Sequence, residues 1–341
     1  MVTFITGRSG VGKTEYLMER LPALAKEHRQ VYFLVPEQSS MGLERRIGAL
    51  GLDGVKVLSF RRLCNEIFRA FGGVAGSYMS AAREIALIYR VLQEQQKNLR
   101  YYKDARPSMG FVSRLSEAFS EFALAGLEQE TVLPLLEKSN RPDWQEKYRD
   151  LFLLYNAYRA TLDQESRSAA EDIAAATELA REKGFFDGCA VVLDGFFGFT
   201  GRQRELLKVV FDQSAAVHCT LLMDEEAGSL LFEPIQKEYN ALCALAGPGR
   251  SARVHLPGPS KRLVYEDLQL LEKRLFTNLA KPFETDHIRL MNGRNIREEL
   301  SMVAADIARK VRAEGYRYKE IALIAGSLDE YGPVAENIFQ K

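Results

Sequence analysis

The sequence predicts an α/β fold: a parallel sheet flanked by helices and broken by a large all-helical insertion. Three observations predict it. A complete phosphate-loop pattern lies between a β-prone run and a helical run near the start of the chain. Further apolar runs are each followed by a helical pattern, and the residues from about Ser80 to Glu182 carry helical periodicity with little strand signal.

Taken in order, Val2-Thr3-Phe4-Ile5-Thr6 reads as a short strand and Glu15 to Leu21 as a helix. Between them, Gly7-Arg8-Ser9-Gly10-Val11-Gly12-Lys13-Thr14 fits G-x-x-x-x-G-K-[ST] in the strand–loop–helix setting that the motif needs. Glycines at 7, 10 and 12 let successive N–H groups converge on one anion, and the helix N-terminus adds a favourable dipole. Lys13 is then the cation for the β- and γ-phosphates of ATP, and the Thr14 hydroxyl is a Mg²⁺ ligand. Gln30 to Pro36 is a continuous apolar run, as a strand buried on both faces requires, and Glu37-Gln38-Ser39-Ser40 opens a helix. Val55 to Leu58 is a third strand, leading through Ser59-Phe60 into a helix from Arg61 to Phe71, and Gly72 to Gly76 is a break.

Within the helical stretch, Tyr148, Phe152, Tyr155 and Tyr158 recur at helical spacing. That stripe packs the insertion's helices together or offers a face to a partner. Strand signal returns at Cys189 to Asp194, followed by a helix from Gly201 to Phe211 and a strand from Ala216 to Met223 ending at Asp224. Gly247 to Ser260 is rich in Gly and Pro and reads as a loop. Ile288 to Met291 reads as a strand before a long helix from Ile296 to Glu314, and Tyr316 to Glu320 leads into the apolar run Ile321 to Ala325. The expected organisation is a core over residues 1–75 and 185–285, an insertion over 76–184, and the beginning of a second α/β unit over 286–341. One such beginning cannot bury both faces of its sheet, so the chain is expected to be the N-terminal piece of a longer protein. The alternative is a complete chain with a small C-terminal lobe.

Composition narrows the function classes. Forty-six basic residues balance 46 acidic ones, so no global field draws the chain to nucleic acid, and any such binding is local. Cys64, Cys189, Cys219 and Cys243 are far apart, and His28, His218, His255 and His287 show no ligand spacing, which argues against a zinc or iron–sulfur site in these residues. No apolar run has transmembrane length and the opening strand is no signal peptide; the expected compartment is the cytoplasm, with no membrane partner.

A phosphate loop needs an acid at the end of another strand to hold Mg²⁺ through water, usually beside a glutamate that orients the attacking water. Asp194 fills the first role, but Gly195 stands in the second. Asp224-Glu225-Glu226 is the rival pair, with Glu225 as base. Ser59, Phe60, Arg61 and Arg62 are candidates for single-stranded DNA, or equally a helix cap and a core anchor. Phe196, Phe197 and Phe199 read as core packing.

The order of these signals resembles a superfamily 1 DNA helicase of the UvrD type. Ser59-Phe60-Arg61-Arg62-Leu63 is similar to the family's T-F-x-x-L turn, which contacts single-stranded DNA. Asp194 to Gln203 is similar in outline to D-E-x-x-D-x-x-x-x-Q: Asp194 and Gln203 remain, while Gly195, Phe197 and Gly198 replace the other polar residues. Ala227 stands where a phosphate-sensing Gln is expected, and Gly326 where an arginine is expected. Phosphate-binding parts are kept and hydrolytic parts lost, a combination similar to the B subunits of AddAB (RexAB) helicase–nucleases. Leu34-Val35-Pro36-Glu37-Gln38, Leu193-Asp194-Gly195-Phe196 and Gly315-Tyr316-Arg317-Tyr318-Lys319 carry that resemblance across the chain.

The resemblance implies RecA-like P-loop domains, the second only begun. It also implies a heterodimer with a helicase/nuclease A subunit, action on DNA break ends and single strands in recombinational repair, and ATP–Mg²⁺ binding with little hydrolysis. The family's exonuclease and iron–sulfur cluster are expected only in a C-terminal nuclease region outside these residues. An autonomous superfamily 1 ATPase or helicase using Glu225, and a P-loop small-molecule kinase, are the alternatives.

Overall fold

The computed structural model describes residues 1–72, 77–138, 141–162, 166–167, 169–224, 230–275 and 282–340. These form two compact units, Met1–Arg262 and Leu263–Lys341.

The first unit is an α/β sandwich around a parallel sheet. Its strands are β1 (Val2–Gly7), β2 (Val31–Leu34), β3 (Val55–Leu58), β4 (Ala190–Leu193), β5 (Ala216–Leu222) and β6 (Ser251–His255). They lie in the order β3-β2-β4-β5-β1-β6, every pairing parallel. Successive residues of the inner strands alternate between two cores, as the pleat dictates. Phe4, Tyr32, Leu34, Val191 and Leu193 share a cluster with Leu63 and Ile67 of helix α3 (Phe60–Phe71), Leu206 and Leu207 of the helix Gly201–Gln213, and Leu242 of the helix Glu233–Ala246. Ile5, Phe33 and Val192 turn the other way, onto Leu17 and Leu21 of α1 (Lys13–Glu27) and Leu43 and Ile47 of α2 (Ser40–Gly48). Burial on both faces is why β2 and β4 read as unbroken apolar runs.

β6 corrects the expectation of a loop over Gly247 to Ser260. It pairs with β1 from Val2↔Ser251 to Thr6↔His255. As an edge strand carrying Arg253 and His255 it shows no apolar run, and its Gly and Pro flanks masked it.

The insertion has its own core. Ile88 and Leu92 of α4 (Ala81–Gln95), Leu115 and Phe119 of α5 (Met109–Ala125), and Phe152, Tyr155 and Tyr158 of α7 (Pro142–Thr161, α6 being Gln129–Glu137) pack together. Tyr148 stacks on Phe122 with ring centroids 6.4 Å apart, so the aromatic stripe packs within the insertion. The next helix, α8 (Ala169–Lys183), was expected in the insertion but puts Ile173, Ala176 and Ala180 into the sheet core beside α3. The helices Gly201–Gln213 and Glu233–Ala246 are α9 and α10.

Asp150 of α7 is 1% exposed and accepts the backbone N–H groups of Arg100 and Tyr102 at 2.9 and 3.0 Å. Asp150→Ala takes that acceptor from both donors and empties a buried place, and we expect it to cost about 1–3 kcal/mol. Hydrogen exchange should quicken at those two amides and across the insertion, while the amides of β1 and β4 stay protected.

In the second unit, α12 (Ile296–Ala313) packs against α13 (Leu328–Phe339), with the Tyr331 hydroxyl donating to Glu299 at 3.0 Å; α11 is Glu266–Arg274. The expected strands Ile288 to Met291 and Ile321 to Ala325 are not formed, and Leu290 and Ile324 are 96% and 91% exposed. A parallel strand needs a ladder neighbour, and neither run has one among the described residues. The division between units also falls at Arg262 rather than at residue 285, because β6 is the last strand the sheet receives.

Candidate functional site

The Gly7–Thr14 loop leaves the carboxyl end of β1 and enters α1, whose N-cap is Gly12. Gly10 shows why the loop needs glycine: its φ is +75°, and a Cβ there would lie 2.0 Å from the Ser260 hydroxyl. Lys13 folds back over the loop, its ammonium donating to the carbonyls of Gly7 and Arg8 at 2.8 and 2.7 Å. Burial pulls the Lys13 ammonium down from 10.5 to about 8; Asp194 opposes this shift and Arg262 adds to it.

Sequence order singled out Asp194, and the sheet delivers it to the loop. β4 ends at Leu193, and the next residue places its carboxylate against α1, where the Thr14 hydroxyl donates to Oδ2 at 2.7 Å. Thr220 of β5 donates to Oδ1 at 2.6 Å. Thr220 was not anticipated, although a polar residue near the end of an apolar strand was the available signal. Leu193 pairs with Cys219, so one step further along the ladder Asp194 meets Thr220. Asp194 is 8% exposed and its described bonds come from hydroxyls, which leaves a buried carboxylate with room for a cation.

Gly195 adopts φ +80° and its N–H donates to the Thr220 hydroxyl at 3.3 Å. A glutamate in that backbone would be strained, so the missing acid is a property of the turn as well as of the residue. Gln203, the last polar residue of the helicase-like stretch, belongs to a capping box: its side chain accepts the Thr200 N–H, and the Thr200 hydroxyl accepts the Gln203 N–H. The rival acid Asp224 is held by the Arg8 guanidinium at 2.5 Å. Glu225 and Ala227 lie outside the described residues.

The DNA candidates are placed as follows. Ser59 is buried and caps α3, accepting the Arg62 N–H at 3.4 Å. Phe60 is 5% exposed and packs edge-on against Phe196 and Phe199, at 5.5 and 6.0 Å between centroids, so neither face is open to a base. Arg61 and Arg62 are exposed, and Arg62 pairs with Glu44 at 2.5 Å. Phe197 corrects the core reading of its cluster: it is 71% exposed and lines the cavity beside the Gly7–Thr14 loop.

A cavity of about 740 Å³ joins the phosphate loop to Asp194, Gly195, Phe197 and Thr220, and to Leu43 and Arg46 of α2. Lys261 and Arg262 also line it, neither of which the sequence singled out. No cluster of three or more possible metal ligands from His, Cys, Asp and Glu occurs among the described residues, so a cation here would be held by one carboxylate, hydroxyls and its own ligands. No helix among the described residues is long and apolar enough to cross a membrane.

Residues 4–272 match the family model described as ADDB, N-terminal. The B subunit of the ATP-dependent helicase/deoxyribonuclease of Caldanaerobacter subterraneus subsp. tengcongensis is 29% identical over 359 residues, covering 99% of this chain and 31% of that protein. Proteins of the same name in Acetivibrio thermocellus and Clostridioides difficile are 29% and 26% identical, again covering 99% of the chain and 31% of each relative. The chain thus spans about a third of the length of the curated relatives it matches.

Proposed function

Because the chain belongs to the ADDB N-terminal family, we propose that it is the nucleotide-binding front part of a helicase–deoxyribonuclease B subunit, one that binds ATP–Mg²⁺ and turns it over slowly. The observation that carries this reading is the Thr14 hydroxyl 2.7 Å from the Asp194 carboxylate beside a full phosphate loop, followed by a glycine where hydrolysis needs an acid. The residues fit the group. Side chains at Gly7, Gly10 and Gly12 would strike Leu256, Ser260 and Lys261, so the loop keeps the bare backbone a phosphate cradle needs, and Thr14 and Asp194 are hard oxygen donors of the kind Mg²⁺ takes. Magnesium bound there would neutralise phosphate charge. Lys13 would exchange its two carbonyl acceptors for phosphate oxygens, and Asp194 would orient the ion's water ligands. With no carboxylate at 195, nothing in that turn draws the proton from an attacking water, a role worth about 10²–10⁴ in rate.

In the assembled enzyme, this part would carry one DNA strand while a partner A subunit unwinds. The bound nucleotide would serve to order the fold rather than to drive a motor. Support for the assembly rests on the relatives' name, which makes each of them the B subunit of a helicase/deoxyribonuclease.

The test is Mg²⁺–ATP binding and turnover by this chain with and without single-stranded DNA. Saturable binding with turnover that DNA does not stimulate is the expected result. Rapid DNA-stimulated turnover would replace this reading with that of an autonomous ATPase. Binding should also carry a pH signature. Lys13 must be charged to hold a phosphate, so affinity should fall as pH rises through about 8. A bound phosphate would raise the lysine's pKa, so binding near pH 8 should take up a proton, which calorimetry in buffers of different ionisation enthalpy would measure.

A further inference from the structure

We propose that Lys261 and Arg262 form a cationic strap that grips the terminal phosphate of a nucleoside triphosphate and lets this site tell a triphosphate from a diphosphate. The inference rests on the nucleotide-binding reading above and deepens it.

The strap is built into the loop. The Lys261 N–H donates to the Gly10 carbonyl at 2.9 Å, and Ser260, 6% exposed, fills the space where a side chain at position 10 would go. A Cβ on Gly12 would lie 2.9 Å from the Lys261 ammonium, so that cation rests on the loop itself, one residue from Lys13. Arg262 also lines the cavity and is close enough for its charge to act on Lys13.

Charge balance points the same way. The cavity wall carries Lys13, Arg46, Lys261 and Arg262 against Glu15 and Asp194. Arg46 and Glu15 lie 3.5 Å apart as a pair. Three cations remain against one carboxylate, which itself accepts two hydroxyl bonds. Among the described residues, Lys261 and Arg262 have no acidic partner within ion-pair distance. Crowded like charges beside a glycine cradle are unfavourable until a polyanion joins them. A triphosphate supplies one more oxyanion group than a diphosphate, and a second pair of cations beyond Lys13 gives that group its own contacts. The unit holding the phosphate loop therefore carries its own cations for the terminal phosphate.

The experiment measures calorimetric affinities for Mg²⁺–ATP and Mg²⁺–ADP with the unaltered chain, Lys261→Met, Arg262→Met, Lys261→Arg and Lys13→Ala. We expect ATP affinity to fall about tenfold in each Met variant, with ADP affinity changed by less than about twofold, and Lys261→Arg to restore most of the ATP preference. Unchanged ATP affinity in both Met variants would overturn the strap while leaving the nucleotide site intact, provided Lys13→Ala still abolishes binding. Equal losses for ATP and ADP would overturn the assignment to the terminal phosphate. Failure of the unaltered chain to bind either nucleotide would overturn the nucleotide reading itself, and the strap with it.

Discussion

Lys13→Ala should abolish measurable nucleotide binding while leaving the fold intact. Its ammonium is the cation that reaches both into the loop and toward the ligand, now held by the Gly7 and Arg8 carbonyls at 2.8 and 2.7 Å. Truncating one partner of a desolvated charge pair costs about 2–5 kcal/mol, a loss of roughly thirty-fold to several-thousand-fold in affinity. The fold should not register the change strongly. Lys13 is held in a half-desolvated place that lowers its own pKa to about 8, so removing it relieves burial of a charge while water reaches the freed carbonyls. Unfolding should shift by less than about 1 kcal/mol. Calorimetric titration with Mg²⁺–ATP and a thermal melt of the same sample separate the two effects. A large fall in melting temperature would mean that Lys13 is chiefly structural here.

Phe60→Ala should have the opposite profile, with a large loss of stability. The ring packs edge-on against Phe196 and Phe199, which also touch each other, at the point where α3, the Asp194 turn and α9 converge. Deleting a buried Phe costs about 3–5 kcal/mol, which at this size lowers the melting temperature by on the order of 10 °C. Phe60→Leu keeps most of the volume and should cost less than about 1.5 kcal/mol. That second variant separates the two sequence readings of Phe60. If Phe60→Leu folds normally yet loses binding to single-stranded DNA, the ring does touch DNA after all. If DNA binding follows stability in both variants, the ring is a core anchor.

The parts of this molecule legible in its sequence are those where local chemistry and tertiary role coincide. The phosphate loop is contiguous, so its spacing alone defined it. β2 and β4 are covered on both faces and announced themselves as Val31-Tyr32-Phe33-Leu34 and Ala190-Val191-Val192-Leu193. Asp194 was singled out because it ends such a run, and the structure places it against Thr14. Among the described residues β6 has one strand neighbour, and its Arg253 and His255 broke the apolar pattern. Thr220, Lys261 and Arg262 were missed for a different reason: nothing near them in sequence says what they approach. Ladder register, β4 beside β5, sets the place of Thr220, and the chain after β6 is held to the loop by the Lys261 N–H on the Gly10 carbonyl, across separations that no window of residues spans. In the second unit, Ile288 to Met291 and Ile321 to Ala325 show the converse. Their sequences favour extended structure, but among the described residues no strand lies beside them to form a ladder.

The position of β1 has a consequence for how the protein is made. It is the first of the six strands to leave the ribosome, yet it lies between β5 and β6, whose residues 216–222 and 251–255 emerge last in this unit. At typical synthesis rates those partners follow on the order of ten seconds or more later. Until then the segment Val2–Gly7, apolar and without a neighbour on either edge, has no sheet to join. Contacts this distant in sequence also slow refolding from denaturant. The phosphate loop is written in residues 7–14, but its contacts with Ser260 and Lys261 must wait until residues near 260 have been translated.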